Sequence, residues 1–422
     1  MSTADLHQPT AAGRFSAGRM RLFAVLAGLY LAQGIPGYLL VAAIPPIMRE
    51  LGVSRTAIGM LAVLMIPLTI KFLWAPLVDR IKLMSIGHRR SWILPTQFGT
   101  VLAIVALIFV EPNNVMAIFL IGLVIAILTS TQDIATDGYA TLALREKDRA
   151  VGNAIQGGAV AASVIVGGTF SLVLYEWIGW QPMILTIAAI STLPLVAIAF
   201  MPEDADTAVF QPAKRPSLKA FVKRPEAVTA LTVALIYRAS EGLVKSMEGS
   251  YLVDAGLPLS SIGYLSGISA ATAGIAGSAI AAILVLRTGA SGTLLLLGGL
   301  RTLCFLLFSL HAAGQLSGLW VLLGAAGFQT LIRYMEIVAL YSLFMAVASK
   351  DQPGTDFTIL SCAQIIIYLL GSMMAGMIAD VLGYPVLFFA ATAISGVAVI
   401  VTFRLLTTLK RRTEEAAGDG RA

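Results

Sequence analysis

The sequence predicts an all-α membrane protein: twelve transmembrane helices in two pseudo-symmetric six-helix bundles, with N- and C-termini cytoplasmic. Three observations carry that expectation: an apolar composition, a series of separated apolar runs, and a weak repeat that lays one half of the chain on the other. Of the 422 residues, 58% are hydrophobic and 12% charged, whereas soluble domains carry about 25% charged residues. The mean hydropathy is +0.86. A helix needs about twenty apolar residues to cross a bilayer. Runs of that kind lie near 21–44, 56–78, 92–110, 115–141, 151–174, 182–200, 227–253, 261–286, 293–311, 317–347, 357–380 and 384–406.

The polar stretches between them set the domain organisation. Residues 1–20 form a tail, 21–200 a first bundle, 201–226 a linker, 227–406 a second bundle and 407–422 a second tail. The linker carries Lys214, Arg215, Lys219, Lys223 and Arg224 among several prolines and reads as a cytoplasmic connection with a short surface helix. With the N-terminus placed inside, the inner loops and tails hold twenty-two Lys and Arg, and the outer loops only Arg49 and Arg55. That asymmetry assigns both termini to the cytoplasm. Gly52–Leu61 aligns with Gly256–Leu265 at an offset of 204. Gln33-Gly34 aligns with Glu241-Gly242 at an offset of 208, and Asp133 falls on Glu336 at 203. The shared offset predicts a duplicated six-helix unit.

Several function classes are disfavoured. The net charge of +6 lies mostly in short inner loops and is no nucleic-acid signature. Cys304 and Cys362 fall in apolar runs, and His7, His88 and His311 are scattered, so neither a disulfide framework nor a metal cluster is expected. There is no GxxxxGK[ST] phosphate loop, and no cofactor is implied. The first twenty residues lack the pattern of a signal peptide.

Charges inside the apolar runs point to a site. Arg238, Glu241, Lys245 and Glu248 follow Tyr237 in the run 227–253 at steps of three, four and three, which puts them on one helical face with alternating signs. A charge at bilayer depth costs a few kcal/mol or more, so such residues face a bundle interior or a watery cavity. Gln33 lies in the first run, Gln132, Asp133 and Asp137 in the fourth, and Gln329, Arg333 and Glu336 in the tenth. Asp133 and Asp137 are four residues apart. They read either as a proton-titrating pair, since close carboxylates raise one another's pKa, or as acids of which one is neutralised by Lys71. Arg301 reads as a packing or lipid-facing residue. Gln156 and Gln364 read as helix-to-helix hydrogen-bond partners. Pro36, Pro45, Pro46, Pro67 and Pro76 predict bent or broken helices in the first two runs, and Gly157-Gly158 with Gly167-Gly168 predict close helix approach.

Lys71–Arg80 (KFLWAPLVDR) followed by His88-Arg89-Arg90-Ser91-Trp92 resembles the loop after the second helix in the major facilitator superfamily, in the form seen in its muropeptide permease (AmpG)-like branch. Ser130–Tyr139 (STQDIATDGY), the AQGIPGYLL segment of the first run and Tyr237-Arg238 with Glu241 are similar to the same branch. Twelve spans, rather than the two more general in muropeptide permeases, bring the chain closest to RhtX/FptX-type siderophore permeases. The resemblance implies the major facilitator fold, in which helices one, four, seven and ten line a central cavity. It implies Asp79 as the loop's gating acid, held near the end of span eleven, and Lys71, Asp133 and Asp137 as a shared polar cluster.

These readings predict an inner-membrane secondary active transporter, working as a monomer and importing a siderophore or its iron complex with protons. The alternative cargo is a muropeptide; a non-transporting sensor or enzyme is the third possibility. Gln33, Tyr237, Arg238, Glu241, Lys245, Gln329, Arg333 and Glu336 are the expected substrate-binding residues. Lys71, Asp79, Asp133, Asp137 and Glu241 are the expected proton-coupling and gating residues.

Overall fold

The computed structural model describes residues 11–54, 60–201, 216–257 and 268–419, and every regular element among them is a helix. Most of the linker and large parts of the Gly52–Leu61 and Gly256–Leu265 repeat segments lie outside the described residues. Helices follow from the solvent: a lipid-facing backbone must satisfy its own hydrogen bonds.

The first apolar run forms α1 (Ala11–Tyr38), opens into a π turn at Leu39–Ala43 and resumes as α2 (Ile44–Glu50). The second run is not one helix. It comprises a 3-10 stretch Met60–Met65, α3 (Ile66–Ile70), a 3-10 turn Lys71–Leu73 and α4 (Ala75–Arg80). Pro67 and Pro76 sit in the first turns of α3 and α4. A proline lacks the N–H that would continue a helix across it, so each restarts the helix. Next come α5 (His88–Ala106), α6 (Val115–Ala143) and α7 (Arg149–Ser163). A second π stretch, Val164–Phe170, leads to α8 (Ser171–Ile178), α9 (Trp180–Ile190) and α10 (Leu193–Ala199). After the short α11 (Leu218–Val222), the second half holds α12 (Pro225–Arg238) and α13 (Glu241–Asp254). The long helices α14 (Ile268–Ala312), α15 (Leu319–Val347) and α16 (Pro353–Asp419) complete it.

Among the described residues nine helical stretches are long and apolar enough to cross a membrane, and Val63–Leu73 is a shorter apolar one. The difference from twelve expected spans has local causes. The second run is the one that prolines break. Helices α14 and α16 each join two helices across a glycine of positive φ, Gly289 (φ 73°) and Gly383 (φ 81°). Without a Cβ these residues take a backbone that other L-residues avoid. Each break falls between two runs that the sequence separates.

Apolar packing forms distinct clusters. One draws only on residues 31–190, with Leu39, Ile104, Ile118 and Ile184 among its fully buried members. Another draws only on residues 243–391, including Val244, Phe305, Phe308 and Phe388. A third joins the halves, setting Val78, Ile134 and Ala140 against Ala234, Leu340, Phe344 and Phe357. The halves therefore share a core at the end that carries the α4–α5 loop and the starts of α7 and α16.

Two contacts recur in both halves. A Cβ on Gly34 would lie 2.3 Å from Ser163 Oγ, and one on Gly242 would lie 2.1 Å from the Tyr368 carbonyl oxygen. So α1 crosses α7, and α13 crosses α16, at aligned glycines. Arg19 pairs with Asp148 at 3.0 Å, and Arg224 with Asp356, each tying the foot of one helix to the start of another.

Candidate functional site

The second half holds a buried ionic network. Helices α12 and α13 meet at Ala239-Ser240, so Arg238 ends one and Glu241 opens the next. Arg238 pairs with Glu241, and Arg333 Nε of α15 lies 2.9 Å from the other Glu241 oxygen. These contacts miss the hydrogen-bonding direction at Glu241, so the attraction is chiefly Coulombic. Glu336, one turn along α15 from Arg333, takes Arg301 Nη1 at 3.0 Å on both oxygens. The Tyr237 hydroxyl lies 2.8 Å from Glu336 Oε1 and from Leu294 O and donates to one of them at a time. Arg301 also stacks on the Tyr237 ring, 4.4 Å from its centroid. Nearer the other end of α13, Lys245 binds Glu248 at 2.7 Å. Three guanidinium groups thus serve two carboxylates. Arg333 is 30% exposed, while Arg301 and Glu336 are buried.

The first half is less charged. A cavity of about 270 Å³ is walled by Tyr30, Gln33, Tyr38, Ser130, Asp133 and Gln156 with apolar neighbours. Lys71, buried in its 3-10 turn, pairs with Asp133. Asp137 is buried one turn further along α6; Tyr30 donates to it at 3.1 Å, and Gln156 Nε2 lies 3.5 Å away. Tyr38, on the cavity wall, is within electrostatic reach of Arg333 of the second half. Gln33 Oε1 and Gln156 Oε1 are buried oxygens that lack a hydrogen-bond donor, and both amide atoms of Gln329 are likewise unpaired.

At the joined end Asp79 is fully buried, 2.5 Å from Arg89 Nη2. It also accepts from the backbone N–H groups of Gly354 (3.3 Å) and Thr355 (2.5 Å) in the first turn of α16. A carboxylate at a helix N-terminus is favoured by the unpaired donors and by the helix dipole. A Cβ at Gly354 would lie 2.8 Å from Asp79 Oδ1, so the glycine permits the approach. This acid of one half therefore caps a helix of the other.

The structure brings Tyr237, Arg238, Glu241, Arg333 and Glu336 into one network and places Gln33 on the cavity wall. Lys245 stands apart, bonded to Glu248. Lys71 and Asp133 pair, and Asp137 is left out of that pair. Arg301 is a correction: it is 1% exposed and bound to Glu336, not facing lipid. Tyr30 and Gln156, which hold Asp137, were missed as site residues. The available signal for Arg301 was its place inside an apolar run, because a guanidinium there needs an acid.

A helical chain apolar enough to span a membrane, with a cavity in its first half, a buried ionic network in its second and an acid of one half capping a helix of the other, has the architecture of a solute transporter. Residues 26–355 match the family model described as Major Facilitator Superfamily, and the chain belongs to that family. It is 27% identical over 400 residues to the anhydromuropeptide permease of Escherichia coli strain K12, covering 90% of this chain and 79% of that one. It is 22% identical to a putative transporter AmpG 4 of Rickettsia conorii, covering 92% and 97%. Among solved structures it resembles a bacterial homologue of the iron transporter ferroportin in its outward-facing state, with TM-score 0.72, 15% identity and coverage of 92% and 99%. It also resembles the human organic anion transporter MFSD10, with TM-score 0.67, 15% identity and coverage of 94% and 100%. At that identity the structural likeness speaks for the fold alone.

Proposed function

We propose that this transporter works in a bacterial inner membrane and imports an amphiphilic sugar-peptide anion of the anhydro-muropeptide class by alternating access. The observation that carries the reading is the contrast between the second-half network and the first-half cavity. Arg333 is a part-exposed guanidinium in a network with one cation in excess, within electrostatic reach of Tyr38 on the wall of a cavity lined by Gln33, Gln156, Ser130, Asp133 and apolar side chains. A guanidinium takes a carboxylate through two parallel N–H bonds. Gln33 and Gln156, with unpaired buried oxygens, suit sugar hydroxyls. Glu241 holds Arg333 until a substrate carboxylate displaces it.

Similarity to anhydromuropeptide permeases along most of the chain supports this reading. The siderophore expectation rested on span number, on Gly138-Tyr139, Lys245 and Glu248 as departures from the muropeptide pattern, and on mixed charges that suit a sugar-peptide carboxylate equally well. The proposed topology counts α14 and α16 as two spans each and Met60–Arg80 as one, giving twelve, with bundles at 21–200 and 227–406. The loop charges then put the Asp79 end in the cytoplasm, so this conformer is closed inward. The cavity and the ionic network come from one chain, which fits a working monomer driven by the proton gradient.

Counterflow in proteoliposomes tests the cargo. Labelled anhydro-muropeptide is expected to enter vesicles preloaded with the unlabelled compound, and an iron-loaded siderophore is not. The opposite result would return the reading to the siderophore class. Counterflow with neither compound would sink both.

A further inference from the structure

Seven carboxylates are buried among the described residues: Asp79, Asp137, Asp148, Glu241, Glu248, Glu336 and Asp356. Six of them have a Lys or Arg nitrogen within ion-pair distance: Asp79 has Arg89, Asp148 has Arg19, Glu241 has Arg238 and Arg333, Glu248 has Lys245, Glu336 has Arg301, and Asp356 has Arg224. Asp137 has none. An arginine does not give up its proton in a protein, so five of these acids have a permanent counter-charge, and Glu248 has the Lys245 ammonium at 2.7 Å. A buried acid with only neutral partners has the most to gain from taking a proton.

The groups around Asp137 fit that role. From α1 the Tyr30 hydroxyl donates to it, and from α7 the Gln156 amide approaches it. Lys71 is the nearest cation by field, but its ammonium is bonded to Asp133, the neighbour of Asp137 on α6. From α5 the Arg89 guanidinium lies against Gly138 and is bound to Asp79 of α4. From α15 and α16 the groups within reach are Tyr341 and Cys362, both neutral. In the second half Leu340 stands where the repeat offset of 203 would place a counterpart, so the second half has no such acid.

Position supplies a path. Tyr30 and Gln156 line the cavity and touch Asp137 from that side. Ile134, Ala140, Leu340 and Phe357, with Tyr30 itself, belong to the core that joins the halves. We propose that Asp137 is the carboxyl group that carries the coupled proton. It takes the proton from cavity water past Tyr30 and Gln156 while the joined end is shut. It releases the proton to the opposite side when that core parts. This rests on the transport reading above and narrows proton coupling to Asp137, with Glu241 kept for the anion.

The first test needs no substrate. Dicyclohexylcarbodiimide reacts with a protonated carboxyl in an apolar setting: the acid's proton passes to a carbodiimide nitrogen, the carboxyl oxygen bonds to the central carbon, and the adduct rearranges to a stable N-acylurea. The purified full chain, treated at mildly acidic pH and mapped by peptide mass spectrometry, is expected to carry the adduct on Asp137, and Asp137→Asn to lose it. An adduct on Glu241, Glu336 or Asp133 with Asp137 bare overturns the proposal, as does no adduct at all. In proteoliposomes Asp137→Asn is expected to lose accumulation above equilibrium, while exchange of anhydro-muropeptide falls less; uphill accumulation at the wild-type level overturns it. Should that variant not fold, Tyr30→Phe keeps the acid and removes its donor, and a shifted pH profile of uptake is expected; an unchanged profile counts against Asp137. Labelling of Asp137 in a wild-type protein that shows no muropeptide counterflow supports the acid while sinking the cargo reading.

Discussion

The two halves share a scaffold and differ in their chemistry. Gly34 against Ser163 in the first half has its counterpart in Gly242 against Tyr368 in the second, and Arg19–Asp148 has its counterpart in Arg224–Asp356. At the centre the likeness ends. Where the first half has Asp133 bound to a lysine, the second has Glu336 bound to an arginine. Counting charges, the first-half cluster of Lys71, Asp133 and Asp137 has one acid in excess. The second-half cluster of Arg238, Arg301, Arg333, Glu241 and Glu336 has one cation in excess. Packing contacts at helix crossings are hard to change singly, because a close-packed interface has little slack. The charged side chains at the centre differ instead, so a duplicated frame can hold an excess acid in one half and an excess cation in the other.

The largest expected effect breaks the comparison at its most buried point. Arg301→Met leaves Glu336 with only the longer pair to Arg238 at 3.9 Å, and removing one member of a buried ion pair costs about 3–5 kcal/mol. Thermal unfolding in detergent should fall sharply, and the double variant Arg301→Met/Glu336→Gln should recover much of the loss. Lys71→Met leaves Asp133 unpaired but 16% exposed beside the cavity, where water can reach it. Its unfolding temperature should drop less. Equal losses would mean that the halves are alike in how deeply their charges are buried.

Arg333→Gln ranks next, and its effect should appear in transport. The side chain is 30% exposed and Glu241 keeps Arg238, so stability should change little. A lost charge-assisted hydrogen bond to substrate is worth about 1.5–3 kcal/mol, equivalent to roughly a ten- to hundredfold fall in uptake at limiting substrate. Arg333→Lys should restore only part of it, because an ammonium lacks the bidentate fork. Full recovery with lysine would reduce the anion site to a point charge.

How much of this was legible in the sequence follows from which properties are local. Apolar runs and proline positions are local, so the spans and the break near Pro67 and Pro76 could be read. Which residues meet across helices is not. Arg301 lies 35 residues from Glu336 in sequence, and helical periodicity does not say which face of its run turns inward. The stripe at Arg238–Glu248 was readable as a face, but its split into two ion pairs was not. Asp133 and Asp137 share a face of α6, yet only the 3-10 turn at Lys71 decides that the lysine serves Asp133. The glycine breaks at 289 and 383 were readable as gaps between runs, though not as positive-φ joints.

A glycine pair sharpens the scaffold side of the comparison. In Gly242→Ala the new methyl meets the Tyr368 backbone carbonyl, which can move only if α16 shifts. In Gly34→Ala it meets the Ser163 side chain. Overpacking costs about 1–3 kcal/mol, and Gly242→Ala should sit at the upper end. Ser163→Gly should rescue Gly34→Ala in a thermal melt, whereas no side-chain change at Tyr368 should rescue Gly242→Ala.

The smallest effect belongs to the paired feet of the helices. Arg19 is 45% exposed, and its partner Asp148 also has Arg145 at 3.3 Å, so Arg19→Gln leaves the acid paired. Exposed ion pairs contribute about 0–1 kcal/mol, and the melt should barely move. Arg224 is 28% exposed, and besides Asp356 it donates to the Val347 carbonyl at 2.5 Å. Arg224→Gln therefore removes two contacts at the joint between the linker helix and the start of α16. It should lower stability measurably more than Arg19→Gln, and high salt should narrow the gap only in part, since the contact to the carbonyl is the less screened. If the two variants matched at low salt, the second carbonyl contact would contribute nothing, and the repeated pairs would be equivalent in energy as well as in position.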